Sequence, residues 1–232
     1  MKANDGKALE STVDGQRYQR LPIRTHVVMP DDDLGEVVRK YVVDHAQPGD
    51  VVFITEKIVA ITQGRSMLIA DVQPRKLATF LSKYVTRTPY GIGLGMPETM
   101  EMALRECGTP RILFAAAVSV ISKKIFRRSG DFYRVAGEKA RAIDGPTEGT
   151  VEPYDRSVVL GPENPQKVAE EMKQLLPAGV DVLVVDINDI GGNILGNTLN
   201  PPQNEKWVRI LKDNPLGQGR QKTPVGIIRK VS

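Results

Sequence analysis

Cysteine, histidine and aromatic residues are scarce in this sequence, and each shortage argues against a class of protein. The single cysteine, Cys107, cannot form an intramolecular disulfide, which fits a reducing compartment, and we expect the cytoplasm. His26 and His45 are too few for a histidine-rich zinc site. Aromatic residues make up 5% of the chain, too little for the base-stacking surfaces of single-strand nucleic-acid binders.

Long apolar runs and strong charge are also missing. No apolar run approaches the roughly 20 residues that cross a bilayer, and residues 1–20 lack the apolar middle of a signal peptide, so we predict no membrane partner. The net charge is a mild +4, with basic residues concentrated from Lys123 to Arg128. This segment is typical of a solvated edge, so we predict no nucleic-acid partner; salt-sensitive binding to any duplex would indicate otherwise.

The pattern of apolar residues predicts a mixed architecture. Residues 1–20 are polar and lack periodicity, which predicts a flexible lead-in, and residues 21–232 are expected to form one domain. Strands are predicted at 21–28, 50–55, 110–126, 131–137, 157–161, 180–185 and 223–231, and helices within 29–50, 56–65, 74–85, 97–108, 164–176 and 204–212. Strict βαβ alternation is missing, so we predict an α+β (irregular α/β) fold of mixed sheets with flanking helices.

Three consecutive aspartates, Asp31 to Asp33, open the first predicted helix. They resemble a metal cluster, but an N-cap and first-turn negative charge also explain them. We therefore predict that they cap the helix.

Carboxylates flank two of the predicted strands. Asp186 and Asp189 follow strand 180–185, and Asp155 precedes strand 157–161 together with Arg156. Loops of this kind can converge on a hard cation such as Mg²⁺ through oxygen ligands. A turn made of Asp, Asn and Gly needs no ligand, so the residues alone leave a metal site and a plain turn equally open.

Two basic residues lie near the two ends of the segment 56–65, which is predicted to contain a helix. Lys57 lies just past a buried strand, where it can neutralise a phosphate, and Arg65 can clamp a phosphate with two hydrogen bonds. An ion pair on a solvated helix face explains the same residues. This stretch alone does not decide between the two.

Four segments, taken in order, resemble the coenzyme F-420:gamma-glutamyl ligase family. They are PGDVVFITEKIVAITQGR, YDRSVVLGP, GVDVLVVDINDIGG and LGQGRQKTPVGII, and the resemblance extends from Leu21 to Ile228. The chain is identified as a divergent member. It departs from the family pattern at Ile61 and Gln63, which replace a Lys and a Glu, and in an apparent insertion at 122–146.

The resemblance implies an enzyme that ligates an acid to an amino acid. It implies that GTP, or ATP, activates a small-molecule carboxylate as an acyl phosphate, which then forms an amide with L-glutamate in the presence of Mg²⁺ or Mn²⁺. It also implies an intertwined homodimer. The departures favour an alternative, a non-catalytic homologue that keeps the scaffold and binds a nucleotide or another ligand.

The same resemblance assigns roles to individual residues. Asp155 and either Asp186 or Asp189 match the metal ligands; Lys57 and Arg65 match positions near the nucleotide phosphates, where Lys57 also counts as a catalytic candidate. Arg156 and Gln218 complete the predicted cofactor-binding set. If Asp189 is not a metal ligand, it is the candidate proton acceptor for the attacking amine.

Overall fold

The computed structural model describes residues 1–85, 93–125, 127, 130–188, 191–217 and 219–231. Its strands are β1 (Glu10–Val13), β2 (Gln16–Ile23), β3 (Val51–Thr55), β4 (Ser66–Leu68), β5 (Ser157–Val159), β6 (Asp181–Asn188), β7 (Gly191–Asn197) and β8 (Val225–Lys230). Its helices are α1 (Leu34–Tyr41), α2 (Glu56–Thr62), α3 (Lys76–Ser82), α4 (Pro97–Glu106), α5 (Thr109–Ile125), α6 (Asp131–Ala136), α7 (Glu138–Arg141), α8 (Pro165–Lys173) and α9 (Asn204–Leu211). The predicted mixed fold with flanking helices is confirmed.

The chain divides into two compact units, where the sequence predicts one domain from residue 21. Unit 1 comprises Met1–Gly64 and Pro162–Ser232, and unit 2 comprises Arg65–Gly161. Unit 1 holds a six-stranded sheet, and unit 2 holds α3 to α7 with a two-stranded sheet of β4 and β5. In the part of the chain that the structure describes, no helix has the length and apolar character to cross a membrane.

The sheet of unit 1 has the order β1-β2-β8-β3-β6-β7. Strands β3 and β6 pair in parallel, and the other neighbouring strands pair antiparallel. It follows that β2, β3 and β6 run in one direction. Their carboxyl ends therefore lie at the same edge of the sheet as the start of β8.

The buried side chains of this sheet alternate between its two faces, and helices pack against both faces. Phe53 and Leu183 lie on the face that packs against Trp207 and Ile210 of α9. The residues that alternate with these in the same strands, such as Val52, point to the other face. There α2 and α8 contact β3 and β6. The unit is a three-layer sandwich of helix, sheet and helices.

A close approach within the sheet requires a glycine in β8. Gly226 is the register partner of Phe53, and a Cβ atom at Gly226 would lie 2.5 Å from the Phe53 ring. The aromatic ring occupies the space that a side chain would take. Glycine at position 226 therefore leaves the room that the Phe53 ring needs in the core.

The N-terminal segment differs from the flexible lead-in that the sequence predicts. Residues 10–20 form β1 and the first part of β2. The guanidinium group of Arg20 is buried and donates hydrogen bonds to the carbonyl oxygens of Ala8 and Glu10 and to the carboxylate of Asp213. A polar segment is ordered here because ladder pairing and buried ion pairing satisfy its polar groups.

Two predicted strands in unit 2 are wrong. Residues 109–125 form the helix α5, and Asp131–Ala136 form the helix α6. The Ile, Val and Phe content suggested strands, but the apolar run is too long for a typical strand, lacks alternation and contains three consecutive alanines. Length and alanine content outweigh β-branched content here.

The structure confirms the predicted cap of the first helix. The side chain of Asp33 accepts a hydrogen bond from the backbone N–H of Glu36 at 2.9 Å, so it is the N-cap of α1 as predicted. Pro97 is the first residue of α4, where its missing N–H costs no helical hydrogen bond.

Candidate functional site

The predicted site residues of unit 1 lie at or just after the carboxyl ends of parallel strands, at one edge of the sheet. Lys57 lies in the first turn of α2, directly after β3, and Asp186 lies near the end of β6. Thr55 and Val185 are register partners in these two strands. Lys57 and Asp186 are therefore brought to the same edge of the sheet, and each is half-buried.

The segment after Val185 forms a hairpin where the sequence suggests that the strand breaks. Strand β6 continues to Asn188 and pairs antiparallel with β7, which places Asp186 opposite Asn193. The Asn188 side-chain oxygen accepts a hydrogen bond from the N–H of Gly191 at 3.1 Å. This bond joins the end of β6 to the start of β7. Asp189 lies outside the described residues.

A groove rich in basic residues lies in unit 1. It has a volume of about 730 Å³ and is bordered by the cationic side chains of Lys2, Arg24, Lys40 and Arg220, with Asp5 as an acidic neighbour. Arg24, Lys40 and Arg220 are exposed. A concave surface with this excess of positive charge attracts anions. We call it the basic groove.

Part of the wall of the basic groove lies at the edge of the sheet to which Lys57 and Asp186 belong. Its wall includes Ile23, at the end of β2, and Thr223, just before β8. The N–H of Thr55, at the end of β3, donates a hydrogen bond to the carbonyl oxygen of Pro224 at 3.0 Å. The groove-lining loop is therefore bonded to the strand that leads into Lys57.

The N-terminal residues are fastened to this groove by side-chain hydrogen bonds. The Asn4 amide donates to the carbonyl oxygens of Pro215 and Leu216 and to the Thr223 hydroxyl, at 2.9 to 3.0 Å. The Thr223 hydroxyl in turn donates to the Leu216 carbonyl oxygen at 2.7 Å. Residues predicted as a lead-in thus form part of the groove wall.

Tyr41 in the groove wall belongs to a chain of polar contacts. Its hydroxyl lies 3.0 Å from Nδ1 of His26, and Nε2 of His26 lies 3.0 Å from a carboxylate oxygen of Asp32. A hydrogen bond from the N–H of Met29 is the main cause that holds the pKa of Asp32 below its ordinary value; burial opposes it, and the bond to His26 adds to the lowering. This Tyr41–His26–Asp32 chain orients the phenol at the groove.

Asp155 and Arg156 lie in unit 2, in a 3-10 helix that precedes β5. The Oδ1 atom of Asp155 is buried and has no hydrogen-bond partner among the described residues. The guanidinium Nε of Arg156 lies 3.7 Å from that oxygen, while most of the Arg156 side chain is exposed. A buried carboxylate oxygen without a hydrogen bond is costly unless a cation or another group pairs with it, so Asp155 fits the predicted metal role.

Metal binding itself stays a prediction. Within the described ranges, no group of three or more His, Cys, Asp or Glu side chains is placed to hold a metal ion. The predicted ligands also fall in different parts of the chain: Asp155 belongs to unit 2 and Asp186 to unit 1. Asp189 is outside the described residues.

Arg65 has protein partners that the sequence did not suggest. In unit 2 its Nη2 atom lies 2.7 Å from Glu106, and its Nε atom donates to the carbonyl oxygen of Gly161 at 2.6 Å. Burial opposes the ionisation of Glu106, but hydrogen bonds from Lys139 and Arg65 hold its pKa below the ordinary value. The ion pair competes with a ligand phosphate for the Arg65 guanidinium.

Two residues that follow the predicted Gly-Gln element line the basic groove. Gln218 itself lies outside the described residues, but Arg220 and Gln221 line the groove. The Gln221 side-chain oxygen accepts a hydrogen bond from the N–H of Gly219 at 2.7 Å. Sequence reasoning missed Arg220 and Gln221, although the resemblance at this segment pointed to their neighbour.

Comparison with protein families identifies the chain. The family model for F420-0:Gamma-glutamyl ligase matches residues 22–197. This is more than half of the sequence, so the chain belongs to that family, and membership supports a ligase function in general. The matched range contains Lys57, Asp155 and Asp186 and ends before Arg220. No curated protein matches the sequence.

Proposed function

We propose that this protein is a nucleotide- and metal-dependent ligase that joins a small-molecule carboxylate to L-glutamate. The observation that carries the proposal is the basic groove, part of whose wall lies at the same sheet edge as Lys57 and Asp186, in a member of the F420-0:Gamma-glutamyl ligase family. A nucleotide triphosphate, GTP or ATP, supplies the anionic group that such a groove attracts.

The reaction requires two bond exchanges. A carboxylate oxygen of the acceptor attacks the terminal phosphorus, the bond to the nucleoside diphosphate breaks, and an acyl phosphate forms. The amine nitrogen of L-glutamate then attacks the acyl carbon, inorganic phosphate leaves, and the amine gives up a proton. Arg24, Lys40 and Arg220 in the groove bind the negative charge that these steps redistribute.

Lys57 and the predicted carboxylates take the remaining roles in this proposal. Lys57 neutralises a phosphate at the end of β3. Asp186 or Asp189, and Asp155, are each proposed as ligands of Mg²⁺ or Mn²⁺, which when bound offsets the charge on phosphate oxygens. Asp189 accepts the proton of the amine if it does not bind the metal.

Calorimetric titration tests the nucleotide site. We expect GTP or ATP to bind in the presence of Mg²⁺ or Mn²⁺, and Lys40→Gln to weaken binding about tenfold, as expected for the loss of one charged contact. The matched control is Lys212→Gln, which removes the same charge from an exposed position elsewhere in unit 1. Absence of binding of either nucleotide with either metal would overturn the proposal.

Isosteric substitutions test the metal ligands separately from activity. Asp186→Asn, Asp189→Asn and Asp155→Asn are each expected to preserve the fold, to weaken Mn²⁺ binding measured by paramagnetic resonance and to abolish glutamate-dependent nucleotide consumption. Unchanged Mn²⁺ binding in all three variants would remove the metal assignment. Full turnover in both Asp186→Asn and Asp189→Asn would do the same.

A non-catalytic nucleotide-binding homologue is the second candidate, and the positions where the sequence departs from the family favour it. Ile61 is buried in unit 1, and the Gln63 side chain exchanges two hydrogen bonds with the backbone of Glu163, at 2.8 and 2.9 Å. These side chains serve packing and loop attachment. Nucleotide binding without any consumption across a panel of carboxylates and L-glutamate would favour this candidate over the ligase.

A further inference from the structure

The Tyr41–His26–Asp32 chain connects a titratable side chain to the wall of the basic groove. Tyr41 lines the groove beside Lys40, whose Nζ atom lies 5.2 Å from the centre of the Tyr41 ring. The side chain of His26 is 38% exposed, so it exchanges protons with solvent. Histidine is the side chain whose charge ordinarily changes between about pH 5 and 8.

Asp32 determines which nitrogen of His26 carries a proton. The pKa of Asp32 lies below its ordinary value, mainly because of the hydrogen bond from the N–H of Met29, so this carboxyl stays ionised down to mildly acidic pH. An ionised carboxylate only accepts hydrogen bonds. Nε2 of His26, 3.0 Å from Asp32, therefore carries the proton, and in neutral His26 the Nδ1 atom is an acceptor.

Neutral His26 makes the Tyr41 hydroxyl an acceptor toward the groove. A hydroxyl has one proton to donate and two lone pairs that accept. The proton is donated to Nδ1 of His26 at 3.0 Å, and the backbone N–H of His26 donates to the hydroxyl oxygen at 3.3 Å. One lone pair is left for a ligand, and a lone pair repels the oxygen atoms of an anion.

Protonation of His26 reverses one of these hydrogen bonds. Imidazolium carries a proton on each nitrogen, so Nδ1 then donates to the Tyr41 oxygen. The two lone pairs of the hydroxyl are engaged by Nδ1–H and by the backbone N–H of His26. The hydroxyl proton is released for donation to a ligand, and the chain gains a positive charge.

We propose that His26 is a proton-controlled switch of the basic groove: when it is protonated, the Tyr41 hydroxyl donates a hydrogen bond to an oxyanion, such as a phosphate group, bound there. Binding of the oxyanion then strengthens as pH falls and takes up a proton. His26 acts through Tyr41 and is a positioning residue. The inference deepens the proposed function, because it rests on the basic groove as the site of the anionic ligand.

The other charged groups of the groove provide a background to this switch. Lysine and arginine stay protonated between about pH 5.5 and 8, and carboxylates stay largely ionised. His45 also lines the groove and is of the type that titrates in this range. Within the described residues, the remaining charged groups that line the groove or act on this chain are Lys2, Asp5, Arg24, Asp32, Lys40 and Arg220.

Sulfate binding to the full chain tests the switch, because sulfate stays a dianion throughout this pH range and its binding requires neither a metal ion nor turnover. Binding is followed by NMR at constant ionic strength, through the backbone signals of Lys40 and Arg220. We expect the dissociation constant to fall at least about tenfold from about pH 8 to about pH 5.5, as one added charge and one charge-assisted hydrogen bond imply.

Two histidine variants assign the pH dependence to a residue. His26→Gln is expected to lose most of the difference between the two pH values. The matched control is His45→Gln, which removes the other imidazole of the chain and is expected to retain most of the difference. A pH dependence that survives His26→Gln, or that disappears equally in both variants, would overturn the proposal. Circular dichroism at both pH values confirms that the variants fold.

Tyr41→Phe separates the switch from a structural role of the chain. This substitution removes the hydroxyl and keeps the ring, so it is expected to weaken sulfate binding several-fold more near pH 5.5 than near pH 8. Equal weakening at both pH values, or no sulfate binding by the unmodified protein at either pH, would contradict the switch.

The sulfate experiment also keeps the switch apart from the proposed ligase function. Sulfate binding with the expected pH dependence, in a protein that consumes no nucleotide, would retain the switch and remove the ligase. Glutamate-dependent nucleotide consumption together with sulfate binding that is independent of pH would retain the ligase and remove the switch.

Discussion

In unit 2 the carboxylates of Glu101 and Glu106 are paired with basic side chains, whereas in unit 1 several basic side chains face a common groove. Glu101 and Glu106 each accept bonds from two cationic residues within unit 2. Lys2, Arg24, Lys40 and Arg220 border the basic groove of unit 1. Paired charges hold a fold in one arrangement, and clustered charges of one sign leave attraction for a ligand. The paired charges of unit 2 therefore stabilise its fold, and the clustered charges of unit 1 favour the binding of a ligand.

The largest effect is expected from breaking the pairing in unit 2. Glu101 is 2% exposed and lies 3.0 Å from Nε of Arg75 and 2.8 Å from Nε of Arg105. Glu101→Gln removes charge-assisted hydrogen bonds to two arginines at a buried position, so we expect the free energy of unfolding to fall by about 3 kcal/mol. Urea unfolding followed by circular dichroism measures the change.

Glu138→Gln is the matched control for this substitution. Glu138 pairs with Arg141 at 3.0 Å, but its side chain is 78% exposed, so removing its charge is expected to change stability by less than about 0.5 kcal/mol. Equal effects of the two substitutions would show that burial of the pair does not matter.

The next largest effect is expected from overfilling the sheet of unit 1. In Gly226→Ala the added methyl group would overlap the Phe53 ring, and the backbone or ring must shift, at a cost of about 2 kcal/mol. Gly191→Ala adds the same group to another strand of the sheet, where no atom of the described residues beyond its chain neighbours lies within 4 Å. Thermal unfolding of both variants checks the prediction, which fails if their midpoints fall equally.

A smaller effect is expected at Asp32, beside the basic groove. Its folded-state pKa lies below the unfolded value, so the carboxylate stabilises the fold above the unfolded pKa, and this contribution is lost as pH falls through the folded pKa. Asp32→Asn is therefore expected to lower the unfolding free energy by about 1 kcal/mol at neutral pH, with the difference shrinking in acid. Asp31→Asn, at an exposed neighbour, is the control.

The smallest effect concerns Cys107 in unit 2. Burial, and then the negative charge of Glu106, raise the pKa of this thiol. The raised pKa leaves less thiolate than in a free cysteine at the same pH, so the reaction with a disulfide reagent is expected to be slower in the folded protein. Unfolded protein should react at the ordinary rate. A folded-state rate equal to the unfolded one would contradict the interpretation.

The success of sequence-based prediction also differs between the two units. In unit 1, short-range signals dominate: the strand at Val51–Thr55 is continuous in β-branched and aromatic residues, and Asp33 caps the helix that follows it in sequence. In unit 2, α5 and α6 were predicted as strands because composition and periodicity disagreed there. The β-branched and aromatic content of α5 favoured a strand, and its length and alanine content, which favour a helix, correspond to the structure.

The candidate site was predictable only where it follows a strand. Lys57 and Asp186 could be placed because the carboxyl ends of parallel strands meet at one edge. The basic groove joins Lys2, Arg24, Lys40 and Arg220, which are distant in sequence and share no spacing that could predict it. Glu106, the ion-pair partner of Arg65, lies on a later helix and is also distant in sequence, so the sequence does not predict this pair either.

The position of Trp207 makes unit 1 optically distinguishable from unit 2. It is the single tryptophan of the chain, it packs in the core of unit 1, and its buried indole N–H has no hydrogen-bond partner among the described residues. An indole in such an apolar setting emits at shorter wavelength than one in water. Intrinsic fluorescence therefore reports the state of the unit that carries the basic groove, without a label and without a contribution from tryptophan in unit 2.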